Sequence, residues 1–162
     1  MTITVGTDTY ATLAEADAYA TARSWADWDA LTDAAKEARL IEAAVYLDTS
    51  YAWKGAITAT AQVMAWPRTG VIDGEGRTIA SDAYPSRLKD AQTELARLAT
   101  ETLVTNDATG EVKAIQAGAV SITFKDAQTV NEASKHRSID RLLTGLYLSR
   151  AGLVRNVRLL KS

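Results

Sequence analysis

The chain of 162 residues has no cysteine, one histidine, one phenylalanine and two prolines. Without thiols there is no disulfide and no thiolate metal site, which suits folding in a reducing compartment. The single imidazole, His136, would leave zinc to carboxylates, which zinc sites rarely use alone. It lies between Lys135 and Arg137, with no neighbouring carboxylate to orient it as a general base, and is expected at the surface. No apolar run approaches the roughly 20 residues of a membrane span. The N-terminus also lacks the basic-then-apolar pattern of a secretory signal, so a soluble, unexported protein with no membrane partner is expected. A nucleophile elbow, a phosphate-binding glycine loop and a dinucleotide fingerprint are all missing. Asp73-Gly74-Glu75-Gly76 lacks the ligand spacing of a calcium loop and reads as a turn. No catalytic residue, cofactor site or metal ligand is assigned, and an enzyme is not expected.

Charge is present but unevenly placed. Residues 1–50 carry nine acids against Arg23, Lys36 and Arg39, whereas residues 135–162 carry seven Lys/Arg against Asp140 alone. A chain so divided can mate with copies of itself or present its basic end to an acidic partner. Arg137, Arg141, Arg150, Arg155, Arg158 and Lys161 are able to neutralise phosphates. Single-strand binders interleave such charge with stacking aromatics, however, and only Tyr147 lies among them.

Thr12-Leu13-Ala14-Glu15 is a capping box that starts a helix at Leu13, running to about Arg23. Trp25 and Trp28 cover a short connection and are expected in the core. Thr32-Asp33 caps a helix from Asp33 to about Ser50, with Leu40, Ala43, Ala44, Leu47 and Tyr51 on its buried face and Lys54-Gly55 closing it. Residues 58–66 read as a short helix. Pro85 opens a further helix through Leu88, Ala91, Gln92, Leu95 and Leu98 to about Thr105. Alternation over Glu111–Ile115 and Val120–Lys125, around Gln116-Ala117-Gly118, predicts a β-hairpin. A loop covers 126–136, a helix opens at Ser138 and ends before Gly152, and Leu153–Leu160 reads as a strand that completes the hairpin or joins a neighbouring chain. The expected fold is mainly α: a small helical bundle of about four helices with a C-terminal β-hairpin and a terminal strand or extended tail. Residues 1–108 form the helical core, and 109–162 an appended assembly segment of the same domain.

Between these elements stands Gln62-Val63-Met64-Ala65-Trp66-Pro67-Arg68-Thr69-Gly70-Val71. Proline restrains Trp66 to extended geometry, and Thr69-Gly70 permits a sharp turn. Trp66, Pro67, Arg68 and Gly70 therefore read as a structural clasp, an indole wedged between helices. Arg68 either braces it from within or lies at a subunit boundary.

Taken in order, Thr9–Tyr19, Ala38–Asp48, Tyr51–Gly55, Gln62–Val71 and Ala91–Ala96 resemble the helical head-tail connector (adaptor, head-completion) proteins of tailed bacteriophages, some of which carry the label DnaT-like single-stranded DNA-binding protein. The resemblance covers residues 9–105, and the C-terminal third only in outline. It implies a structural virion protein of the neck, made in the host cytoplasm. Such proteins form a ring, commonly of about twelve copies, between the portal protein and a stopper or tail protein, with genomic DNA passing through the lumen without sequence-specific contact. Carried onto this chain, the resemblance assigns portal contact to Arg150, Leu153, Arg155, Val157, Arg158 and Leu160. The alternative is single-stranded DNA binding with strong salt dependence, abolished on neutralising Arg155 and Arg158.

Overall fold

The computed structural model of the chain describes residues 2–98, 114–117, 120–123 and 136–150. Helix α1 (Leu13–Thr21) begins at the expected box: Thr12 Oγ1 accepts from the Glu15 amide at 3.1 Å, and Glu15 Oε2 accepts from the Thr12 amide at 2.8 Å. Two donors that the first helical turn would leave unpaired are thereby satisfied. A short helix α2 (Ala26–Asp29) fills what the tryptophan spacing suggested was a plain connection. Trp28 is fully buried there, and its Nε1 donates to Asp17 Oδ1 at 2.8 Å. Lys36 Nζ donates to the same oxygen at 2.9 Å, so one α1 carboxylate gathers both neighbours.

Helix α3 (Asp33–Ser50) is about 27 Å long at the usual rise. Its buried stripe of Leu40, Ala43, Ala44 and Leu47 packs on α4 (Ser86–Leu98), where Leu88, Ala91, Leu95 and Ala96 face it. The alanines contribute little area each but let the two backbones approach closely. Gln92 Nε2 reaches across this contact to the Leu40 carbonyl at 2.8 Å. Among the described residues no helix is long and apolar enough to cross a membrane.

Three short antiparallel pairs accompany the helices. Strand β1 (Tyr51–Trp53) continues directly from α3 and pairs with β6 (Tyr147–Arg150). Strand β2 (Ala56–Ile57) pairs with β3 (Arg68–Thr69), which lies within the clasp. Strands β4 (Ala114–Ala117) and β5 (Val120–Thr123) form the predicted hairpin, with Gln116 and Ala117 in the first strand and not in its turn. Helix α5 (Arg137–Leu142) packs against α4, and Ile139, Leu143 and Leu146 join the same core as Leu40 and Leu88. The architecture is the mainly α one expected.

Three local expectations are corrected. The long helix is closed at Ser50, not by Lys54-Gly55: Tyr51 turns to φ −124° and ψ 132°, because its backbone joins a ladder with Arg150. Gly55, at φ +70°, instead turns β1 into β2. Residues 58–66 form turns and not a helix. The Gln62 side chain competes for the local backbone, accepting from the Thr58 amide at 3.2 Å and donating to the Met64 carbonyl at 2.7 Å. The C-terminal helix stops at Leu142, so Leu146 and Tyr147 are not in it. Gly145, at φ +92°, lies against Gly74, where a Cβ would come within 2.5 Å of the Gly74 nitrogen, and from that turn the chain enters β6. The helix expected to reach Thr105, the loop at 126–135 and the strand at Leu153–Leu160 lie outside the described residues.

Candidate nucleic-acid and assembly site

The clasp is a closed structural unit. Trp66 is fully buried, follows Met64 into the core and meets Trp53 edge to face, with ring centroids 5.8 Å apart and planes at 81°. That arrangement sets the positive edge of one ring on the negative face of the other. Neither indole Nε1 has a hydrogen-bond partner among the described residues. The Trp66-Pro67 peptide is cis. The Pro67 carbonyl receives Gln62 Nε2 at 2.9 Å and Thr58 Oγ1 at 3.1 Å, so the loop over 58–66 is bound to the clasp it leads into.

Arg68 braces the clasp from within. Its Nε donates to the Lys54 carbonyl at 2.6 Å, Nη1 to the Ala65 carbonyl at 3.0 Å and Nη2 to the Gly55 carbonyl at 2.8 Å. A planar fork of fixed donors can hold three separate carbonyls at once, which a lysine ammonium on a flexible stem cannot do in that geometry. Gly70, at φ +73°, makes the turn after β3, and Val71 returns to the core.

Sequence reasoning did not find the partner of the clasp on α3. Asp48 is half-buried; it accepts the Ala65 amide on Oδ2 at 3.0 Å and the Tyr10 hydroxyl on Oδ1. Burial pushes its carboxyl above the ordinary carboxylate range, against the Tyr10 and Ala65 hydrogen bonds and the Arg68 charge, which pull it down. Burial and the adjacent carboxylate together push the Tyr10 hydroxyl far upward, so it remains a donor. The helical period of α4 places Gln92 in its stripe without assigning it a role. It is fully buried, and its Oε1 accepts from the Tyr10 and Ala11 amides at 3.0 and 2.9 Å, while Nε2 serves Thr9 Oγ1 and the Leu40 carbonyl. A lone polar residue within an apolar period was the only available signal.

The cations of the helical body are largely matched. Lys36 pairs with Asp17, Lys89 with Glu15, Arg97 with Asp27, Arg77 with Asp73, Arg87 with Glu75 and Arg23 with Glu94, at 2.6 to 3.9 Å. Arg97 and Arg23 also lie over the Trp25 and Tyr19 rings, at 4.3 and 3.3 Å from the centroids. By contrast Arg137 and Arg141, exposed and one turn apart on α5, have no ion pair among the described residues. Asp140 beside them accepts the Tyr51 hydroxyl at 2.7 Å. Of the residues assigned to portal contact, Arg150 ends β6 opposite Tyr51, while Leu153, Arg155, Val157, Arg158 and Leu160 lie outside the described residues. His136 meets Tyr46 edge to face at 5.4 Å, just before α5.

Neither the curated proteins nor the solved structures include a match to this chain. A family model matches residues 2–160, nearly the whole length, including every segment of the clasp, the α3–α4 pair and the basic C-terminus. The chain therefore belongs to the family described as "Putative DnaT-like ssDNA binding protein".

Proposed function

We propose that this protein binds single-stranded DNA through its cationic C-terminal third, with the helical body as scaffold, and without catalysis. The observation that carries this is the division of positive charge. In the body, six of nine cations are matched by carboxylates and Arg68 is held by three carbonyls, which leaves Arg39 and Lys54. Arg137 and Arg141 are not, and within residues 135–162 the sequence adds Arg150, Arg155, Arg158 and Lys161 with no acid but Asp140. The description of the family supports the same reading. The indoles Trp28 and Trp66 are fully buried, so base stacking on them does not contribute. The contact is with phosphates, and it is sequence-tolerant and strongly salt-dependent. Filter binding of an oligonucleotide at a series of salt concentrations tests it. Affinity should fall steeply with salt. Replacing Arg155 and Arg158 by alanine should flatten the logarithmic slope by about 1.4, at about 0.7 for each phosphate no longer neutralised. Salt-insensitive binding, or a double variant that binds as the parent does, would overturn the proposal.

A second reading, a neck protein of a tailed phage joining portal to tail, is favoured by the ordered motifs from Thr9 to Ala96 and by apolar side chains outside the core. Val63 and Leu148 are each 72% exposed. In this reading, neighbouring copies close a ring by setting acidic fronts on basic backs, a heterologous contact that closes when the rotation allows. DNA passes through the lumen, and the C-terminal segment meets the portal. Light scattering with purified portal protein, and virion assembly after truncation at Gly152, distinguish the two. Portal binding that disappears with the tail supports the connector; no complex and intact assembly exclude the assigned contact.

A further inference from the structure

A cavity of about 250 Å³ opens between α1 and the start of α4, lined by Glu15, Tyr19, Tyr84, Lys89, Asp90 and Thr93 among others. It is below the size of a typical small-molecule pocket of roughly 300 to 1,000 Å³, and suits one long side chain better than a whole ligand. Most of its polar groups are already committed. Lys89 Nζ holds Glu15 Oε1 at 2.6 Å, Glu15 Oε2 caps α1, the Tyr19 hydroxyl donates to Glu94 at 3.1 Å, and Thr93 Oγ1 donates to the Lys89 carbonyl at 2.9 Å. Among its charged groups the exception is Asp90, whose carboxylate has no hydrogen bond or ion pair among the described residues. Burial raises its pKa against the pull of the Arg23 charge, so it bears a desolvation cost that no hydrogen bond offsets. The unmatched charge of the cavity is thus negative, and two tyrosines stand beside it.

We propose that this cavity is a binding site for the guanidinium group of an arginine in a basic polypeptide segment. A planar cation meets a carboxylate through paired donors and lies on tyrosine rings, and it is more weakly hydrated than an ammonium, so entry into a half-buried site costs less. The same chain already places Arg23 over the Tyr19 ring at 3.3 Å. Phosphate-bearing ligands are disfavoured, because Asp90 and Glu15 outweigh Lys89 by one charge. The segment is supplied by residues 150–162 of a second copy, which hold Arg150, Arg155 and Arg158 without an acid.

Calorimetric titration of the full chain with the 150–162 peptide, its all-lysine twin, a Gly-Arg-Gly peptide and a dinucleotide tests the proposal. The arginine peptides should bind saturably, the lysine twin at least threefold more weakly, and Asp90→Asn should weaken arginine binding at least tenfold. Asp33→Asn, at an exposed acid on α3, should change nothing and controls for general charge attraction. Because the Asp90 carboxylate holds no internal bond and is penalised by burial, the asparagine variant should melt no lower than the parent. A tail peptide that binds more tightly than Gly-Arg-Gly assigns the source to a second copy, whereas equal binding upholds the guanidinium site and assigns it to another partner. No saturable arginine binding, undiminished binding by Asp90→Asn, or competition by the dinucleotide would each overturn the assignment.

Discussion

Tyr10, just ahead of α1, donates its hydroxyl to Asp48 in the last turns of α3, and the same carboxylate takes the amide of Ala65 at the entrance to the clasp. One side chain therefore ties three segments far apart in the chain. Because burial raises the Asp48 pKa, the folded state holds its proton more firmly than the unfolded chain does. By linkage, between the ordinary carboxylate value of about 3.9 and the raised folded value, stability contributed here falls as pH rises. Asp27, Asp73 and Glu15 are held low by their partners and act in the opposite sense. Subtracting the urea midpoints of Asp48→Asn from those of the parent across pH 3 to 7 isolates the Asp48 contribution. The parent should lose ground to the variant with rising pH, and a flat or inverted difference would show that the carboxylate is not penalised by burial.

Trp66 fills the centre of the clasp at zero exposure. Truncation to alanine removes the indole and its edge-to-face contact with Trp53, and should cost about 3 to 5 kcal/mol. Phenylalanine should recover part of that, since neither indole nitrogen has a partner to lose. Chemical denaturation of the two variants measures both effects, and a Trp66→Ala protein as stable as the parent would remove the clasp from the core.

Replacing Arg68 with lysine keeps the charge and loses the fork. Three carbonyls, those of Lys54, Gly55 and Ala65, would then share one ammonium. Hydrogen bonds to charged groups contribute about 1.5 to 3 kcal/mol, so a loss of about 2 kcal/mol is expected from Arg68→Lys and more from Arg68→Met. Denaturant titration at two protein concentrations should give the same loss at both, because the brace lies within one chain.

Gln92→Leu is nearly isosteric but silent in hydrogen bonding. It orphans the buried amides of Tyr10 and Ala11 and removes the second partner of the Leu40 carbonyl, which keeps its bond within α3. At about 1 to 3 kcal/mol per buried unsatisfied group, the variant should lose about 2 to 6 kcal/mol, a large share of the stability of a domain this size. Hydrogen exchange should show the Tyr10 and Ala11 amides, slow in the parent, becoming fast.

Local signals were legible wherever a residue acts on its own neighbours. Thr12 with Glu15 and Thr32 ahead of Asp33 marked two helix starts to the residue, and the spacing of Leu40, Ala43, Ala44 and Leu47 marked the face that α4 covers. The hairpin over Ala114–Thr123 followed from alternation. Illegible was anything settled by a partner distant in sequence. Tyr147 continues a leucine-rich helical period but pairs as a strand with Trp53, because the turn at Gly145 brings it to an unpaired β1 edge. Residues 58–66 carry helix-forming alanines, yet Gln62 is drawn to the Pro67 carbonyl.

By itself the sequence determined the helical character, the N-terminal caps, the burial of the tryptophans and the separation of acidic and basic halves, because these depend on composition and on contacts a few residues apart. Only the tertiary structure decided that Arg68 braces its own chain, that Asp48 and Gln92 are keystones, and that Asp90 faces a cavity without a hydrogen-bond partner. A carboxylate, amide or guanidinium is equally at home in water or in a network. Which it adopts depends on carbonyls and amides that the fold brings from tens of residues away.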